Sequence, residues 1–271
     1  MGLHVRRWDG GPGRPVLLVH GLASNARLWD GVALELAAAG HPVAAVDLPG
    51  HGRSDAPDDG YDVPAVAGDL ATLIEALGWE RPVVAGQSWG GNVVVELAAR
   101  WPDAVGAVAG IDGGTIDLQR RFPRWEDCAE ALAPPRLAGT PLADIEARLR
   151  RMHPDWPETG IQGQLACFRV HEDGTVSPWL TRDRHLRVLR GLWEHRPDAA
   201  YPRIVAPVLL VGAVAEGTNG RDGGPSAGLA DAARALARAR IERMRGDHDL
   251  HAQHPEAVAG LLAELAAEAD R

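Results

Sequence analysis

Lysine is absent from the 271-residue chain, and arginine supplies all 28 of its basic side chains. Beside the frequent alanine and glycine this reads as compositional bias, with no function attached to it. Cysteine is nearly absent too: Cys128 and Cys167 are too few for a disulfide framework and stand at no metal-ligand spacing, which fits a reducing compartment. No apolar run approaches the length needed to cross a bilayer. The start, MGLHVRRWDGG, has neither the apolar core of a secretory signal nor the Ser/Thr of a myristoylation signal. Positive charge is in deficit, 37 acidic residues against 28 basic, and a formal net charge of −9 argues against a nucleic-acid partner. The expectation is a cytoplasmic protein, monomer or homodimer, with a small molecule rather than a membrane or nucleic acid as its partner.

What the chain does have is a hydrophobic fraction of 45 %, ample for one large core. Short Val/Ala/Leu runs alternate with longer helical patterns. RPVLLVHG (14–21), HPVAAVDLPG (41–50), RPVVAG (81–86), AVGAVAGIDGG (104–114), APVLLVGA (206–213) and RIERMRG (240–246) read as strands. Between and after them, 26–40, 63–79, 88–102, 226–239 and 255–269 read as helices. Apolar strands alternating with helices imply an α/β fold with a mostly parallel sheet covered on both faces. The rhythm breaks from about 115 to 200, where no apolar strand run occurs and several helical stretches are interrupted by proline. The economical division is a core of 1–114 with 201–271, interrupted by a mostly helical insertion over 115–200. There are no internal repeats.

The stretch GQSWGG (86–91) brackets one serine with glycines at a strand-to-helix corner. Gly86, Ser88 and Gly90 make G-x-S-x-G, the pattern that forces a serine through a sharp turn and exposes its hydroxyl above a sheet. A serine hydroxyl needs a base to be a nucleophile. Of eleven histidines, His248 is the candidate, because it follows the last strand by a short Gly-Asp step, on the carboxyl edge of the sheet. His251 and His254 compete from nearby. His4 and His41 lie at strand starts, on the wrong edge, and His51 reads as structural. His153, His171, His185 and His195 fall in the insertion, in solvated or substrate-facing roles. No carboxylate or cysteine spacing makes a metal cluster of His248, His251 and His254. The backbone N–H groups of Trp89, after the serine, and of Leu22, after His20-Gly21, are the candidate oxyanion donors.

LLVHGLASN, AVDLPGHGRSD, VVAGQSWGG, PVLLVGA and GDHDLHAQHPEAV, in this order, resemble the α/β-hydrolase superfamily over nearly the whole chain. The resemblance implies a helical cap after the sixth strand, matching 115–200, the order Ser…acid…His, and no cofactor and no metal. It implies a serine hydrolase cleaving a carboxylic ester or lactone through an acyl-enzyme. Serine at the elbow argues against the related dehalogenases and epoxide hydrolases, which use aspartate. A lyase, perhydrolase or other secondary-metabolite catalyst, and a non-enzymatic ligand receptor, are the alternatives on the same fold.

The chain departs from the family at the acid. The usual place after the seventh strand falls in VGAVAEGTNG, where Ala215 stands; Glu216 is one residue along and Asp222 lies further on. Asp112, at the end of the sixth strand, resembles the placement in some lactone hydrolases and is the preferred acid, with Glu216 the alternative. Asp47 and Asp55 read as supports of the LPGHGRS turn, and Asp247 and Asp249 as poorly placed to orient His248. Trp89, Trp125 and Trp156 are candidate walls of an apolar or aromatic substrate pocket. The arginines of LQRRFPR (118–124) read as a solvated face.

Overall fold

In a computed structural model, which describes residues 1–214 and 228–269, ten strands form two sheets. The strands are β1 (Val5–Trp8), β2 (Val16–Val19), β3 (Val43–Val46), β4 (Val83–Gln87), β5 (Ala107–Ile111), β6 (Thr140–Pro141), β7 (Phe168–Val170), β8 (Thr175–Pro178), β9 (Val208–Val214) and β10 (Ala239–Arg245). Seven of them make the main sheet in the order β1-β3-β2-β4-β5-β9-β10, parallel throughout except for β1, which runs antiparallel to β3. The remaining three form a small antiparallel sheet in the order β6-β8-β7.

The inner strands β2, β3, β4, β5 and β9 are apolar on both sides because both sides are covered. Leu17, Val19, Val84 and Val108 face one layer, with the helices Val63–Ala76 and Trp89–Arg100. Their sequence neighbours Val16, Leu18, Val83 and Ala109 face the other, with the helices Asp30–Ala38 and Pro255–Ala269. Burying alternate residues on opposite faces turns period two into an unbroken apolar run. Local chemistry sets the helix ends. Asp62 caps Val63–Ala76 by accepting from the Ala65 N–H at 2.9 Å, with Pro64 in the first turn. Gly40 follows Asp30–Ala38 at φ +93°, a conformation that favours glycine.

The sequence runs directly from β2 to β3 on one side and from β4 to β5 on the other, so strand order reverses between β2 and β4. The chain ends leaving those two strands carry His20–Leu22 and Ser88, and ligand sites of open α/β sheets gather at such a reversal.

The insertion leaves the main sheet after β5, the fifth strand of this chain rather than the sixth, and comprises helices together with the small sheet. That sheet had no apolar signature: FRV, TVSP and the two-residue TP are too short and too polar to read as strands. Part of the insertion packs on the core through Leu28, Ile145, Trp156, Ile161, Leu165, Val176 and Ala252.

Backbone crowding is tightest where β4 meets its following helix. A Cβ on Gly86 would meet the Gly90 carbonyl, one on Gly90 the His20 carbonyl, and one on Gly113 the backbone of Ser88. Gly113→Ala is therefore expected to destabilise the protein by about 1–3 kcal/mol. Gly260→Ala, at an exposed helical position with open space around it, should instead stabilise by roughly 0.5–1 kcal/mol. Urea denaturation of the two variants checks the contrast.

Candidate active site

Ser88 occupies the single residue between β4 and the helix Trp89–Arg100, at φ +52° and ψ −120°. A side chain other than glycine there costs on the order of 1–3 kcal/mol and persists only when its surroundings fix it. They do: the Ser88 N–H donates to the Ile111 carbonyl at 3.1 Å, and its own carbonyl accepts from the Gly91 N–H at 2.9 Å. Asp112 leaves β5 beside it, one position beyond the Gln87–Ile111 register pair, also with positive φ, +42°. Its N–H donates to the Val211 carbonyl at 2.7 Å, and its Oδ1 accepts from the Ala213 N–H at 3.0 Å.

His248 arrives from the far end of the sheet after β10, and its Nδ1 stands 2.6 Å from Asp112 Oδ2. Asp112 is buried, whereas the His248 ring is about half exposed. Donating Nδ1–H to the carboxylate leaves Nε2 with its lone pair. Desolvation alone would lower the imidazole pKa. The hydrogen bond to Asp112, and the negative charges of Asp249, Asp112 and Asp247, outweigh it, so that the pKa of His248 is raised. Gln87 Nε2 donates to the His248 carbonyl at 3.1 Å, tying the histidine loop to the end of β4.

Ser88 and His248 line one cavity of about 630 Å³. Its apolar walls are Leu22, Ile116, Leu118, Leu132, Leu189 and Leu192, all but the first from the insertion. Among the described residues, the Leu22 and Trp89 amides meet no hydrogen-bond acceptor in the protein, and Trp89 opens its helix, where N–H groups lack an internal partner.

The turn carrying Leu22 is held by two buried histidines. His20 Nδ1 donates to the Gly21 carbonyl at 2.7 Å, and its Nε2 accepts from the Leu48 N–H at 2.9 Å. His51 Nδ1 donates to the Pro49 carbonyl at 2.9 Å, and its Nε2 accepts from the Ala23 N–H at 3.2 Å. Both pairs of bonds require a neutral ring, and burial pushes the pKa of His20 down to about 4 and that of His51 to about 3. Neither cysteine competes with Ser88: both are free and buried, and burial pushes the Cys167 thiol up to about 12. Among the described residues, no group of three or more His, Cys, Asp or Glu is placed to hold a metal ion, and no helix is long and apolar enough to cross a membrane.

The tryptophan expectations need correcting. Trp89 is fully buried, stacked on His51 with ring centroids 5.5 Å apart, so its indole does not wall the cavity. Trp125 lies in a separate groove with Asp58–Asp62, its ring beneath the Arg190 guanidinium. Trp156 is buried and donates Nε1–H to Asp247 Oδ2 at 2.9 Å. Leucine, not tryptophan, makes the walls. The alternative acids Glu216 and Asp222, and Ala215, lie outside the described residues.

Several supporting residues carried no sequence signal. Asp247 Oδ2 also meets His153 Nδ1 at 3.0 Å, so the aspartate beside His248 clamps the insertion to the histidine loop, and His153 is bound rather than solvated. Asn92, one turn past Ser88, accepts from the Gly114 and Ile116 N–H groups and donates to the Ile116 carbonyl, fixing the entry to the insertion. His195 is likewise buried, between Asn92 and Glu96, rather than facing solvent or substrate. The spacing of Asn92 from Ser88 along one helix was visible; its partners, 22 and 24 residues away, were not.

His251 is buried as well, its ring tilted against that of Trp29 with centroids 4.3 Å apart, and its pKa is pushed down to about 3 by burial. Unfolded histidines take up protons below about pH 6.5 while His20, His51 and His251 stay neutral in the fold, so stability falls with pH. Asp249, its carboxyl raised by burial to about 6, opposes this because the fold protonates it first, as does His248. Three histidines against these two should give a net loss of at least about 2 kcal/mol between pH 7 and pH 5. A urea midpoint that held level or rose over that range would contradict the assignment of neutral rings.

Comparison with known proteins agrees with this architecture. A family model described as alpha/beta hydrolase fold matches residues 14–157. Over 216 residues the chain is 31 % identical to the 2-(acetamidomethylene)succinate hydrolase of Mesorhizobium japonicum, covering 77 % of this chain and 73 % of that protein. An uncharacterized Mycobacterium tuberculosis protein is 31 % identical over 201 residues, 73 % of this chain but 54 % of the relative, so the match spans about half that protein's length. Among solved structures, E-2-(acetamidomethylene)succinate hydrolase superposes with a TM-score of 0.78 at 24 % identity, covering 97 % of this chain and 99 % of that one. The chain belongs to the alpha/beta hydrolase family.

Proposed function

We propose that the protein hydrolyses a carboxylic ester or lactone through a Ser88–His248–Asp112 triad and an acyl-enzyme intermediate, with residues 115–200 as the cap over the site. The observation that carries this reading is the 2.6 Å contact between His248 Nδ1 and Asp112 Oδ2, beside a serine held at φ +52° on the same cavity. His248 Nε2 takes the proton as Ser88 Oγ attacks the carbonyl carbon, and Asp112 stabilises the imidazolium that results. The Leu22 and Trp89 N–H groups receive the negative charge that develops on the carbonyl oxygen. The imidazolium then gives its proton to the departing alkoxide. The neutral ring next activates water against the acyl-Ser88 carbonyl, and collapse of that second tetrahedral intermediate returns the proton to Ser88.

The oxyanion donors are main-chain groups, so the placement of the Leu22 amide depends on the His20 and His51 bonds, and that of the Trp89 amide on the Ser88 corner, rather than on the identity of residues 22 and 89. The relatives named as hydrolases support the reaction class, while the ester or lactone bond is read from the nucleophile and base.

A panel of p-nitrophenyl esters and lactones tests the proposal. Ser88→Ala should lose at least about 1,000-fold in kcat and should no longer be labelled by a fluorophosphonate; a wild-type protein that escapes labelling would point to a ligand receptor on this fold. Because catalysis needs neutral His248 and its pKa is raised, activity of the wild type should fall as pH drops through a value above 6.5. Asp112→Asn removes a cause of that elevation, so the acid limb should move to lower pH while kcat falls by about 10,000-fold. Glu216→Gln should leave both nearly unchanged. Loss of activity in Glu216→Gln but not in Asp112→Asn would transfer the acid role.

A further inference from the structure

We propose that the cavity beside Ser88 selects a substrate bearing a free carboxylate, and that Arg121 is the residue that recognises it. The inference rests on the hydrolytic reading of Ser88. Four charged or titratable side chains other than His248 line this cavity: Asp117, Arg120, Arg121 and His185. Three of them are already accounted for. Arg120 meets Asp231 at 2.8 Å, Asp117 at 3.1 Å and Asp198 at 3.5 Å. Asp117 is shared between Arg120 and Arg196, the latter also at 3.1 Å. Burial first, and the Arg182 charge, lower the pKa of His185, while its Nε2 stands 3.3 Å from the Leu132 carbonyl; it is a neutral donor there.

Arg121 has no carboxylate partner among the described residues, and its guanidinium stands over the ring of Phe122 at 5.1 Å. Among the described residues that line the cavity it is therefore the charged side chain left without an ion-pair partner, an exposed guanidinium beside apolar walls of leucine and isoleucine. An ion pair formed against apolar walls is less screened than one in open water, and the planar guanidinium matches a carboxylate through two parallel hydrogen bonds. The charge count favours a carboxylate over a phosphate monoester, whose charge near −2 at neutral pH calls for more than one free cation. The chain as a whole carries −9, which repels anions at long range, so a local cation decides whether an acidic substrate is held. The substrate class that fits is a half-ester of a dicarboxylic acid, or a lactone carrying a separate carboxylate.

The test compares p-nitrophenyl hemiadipate with the uncharged p-nitrophenyl methyl adipate on the wild type and on the Arg121→Gln, Arg121→Lys and Arg124→Gln variants. The wild type should prefer the acid. Arg121→Gln should lower kcat/KM for the hemiadipate by about 10- to 100-fold, the range of a charge-assisted hydrogen-bonded pair, and leave the neutral ester within about threefold. Arg121→Lys should keep part of the preference. Arg124→Gln, at an exposed position outside the cavity lining, should keep all of it. Equal effects on both esters, or the same loss in Arg124→Gln, would overturn the inference while leaving the hydrolytic reading intact. Calorimetric binding of adipate to Ser88→Ala protein supplies a readout that needs no turnover. Binding that weakens with salt and disappears in Ser88→Ala/Arg121→Gln is expected, and binding indifferent to Arg121 would overturn the inference even if neither ester is hydrolysed.

Discussion

The site depends on how closely the backbone of the helix after β4 approaches its neighbours. Gly90 lies against the His20 carbonyl and Gly113 against the backbone of Ser88, so the chain ends leaving β2, β4 and β5 are pressed into one small volume. That closeness holds Ser88 in a backbone conformation that few side chains adopt. It also brings the two amides nearest the serine onto the same edge. The strain is affordable because the sheet beneath is buried on both faces, and a large core tolerates a local cost of a few kcal/mol.

Electrostatics divides the histidines into two kinds. His20, His51 and His251 are wholly buried and kept neutral, and the first two use that neutrality to accept backbone N–H groups around the turn of Leu22. His248 is partly exposed and surrounded by carboxylates, so its charged form is favoured instead. One edge of the sheet thus holds rings that resist protons within a short reach of a ring that attracts them. Titrating groups whose environments push their pKa values apart are a hallmark of a site arranged for proton transfer.

Much of this was legible in the sequence, and the reason is local. The six strands of the alternating pattern, the glycine-bracketed serine and the His-Gly turn are all written in contiguous residues. Asp112 could be singled out because it ends a strand and the usual position for the acid holds Ala215. What the sequence does not display is the direction of a side chain. Trp89 follows the serine, yet its indole turns into the core and stacks on His51. Trp156 has the composition of a pocket wall and is instead tied to Asp247, 91 residues away. The small sheet of the insertion escaped notice because strands of two to four residues bury too little to impose a period. Asn92 and Asp247 act on partners that only the folded chain brings near.

Asp112 owes its orientation to main-chain groups of β9: its N–H bonds the Val211 carbonyl, and its Oδ1 is held by the Ala213 amide. No side chain is needed for either contact. Residue 213 can therefore drift through substitution without disturbing the carboxylate, proline excepted, because proline alone lacks the amide hydrogen. An alanine scan across β9 would pass over this support entirely, and a proline scan would find it.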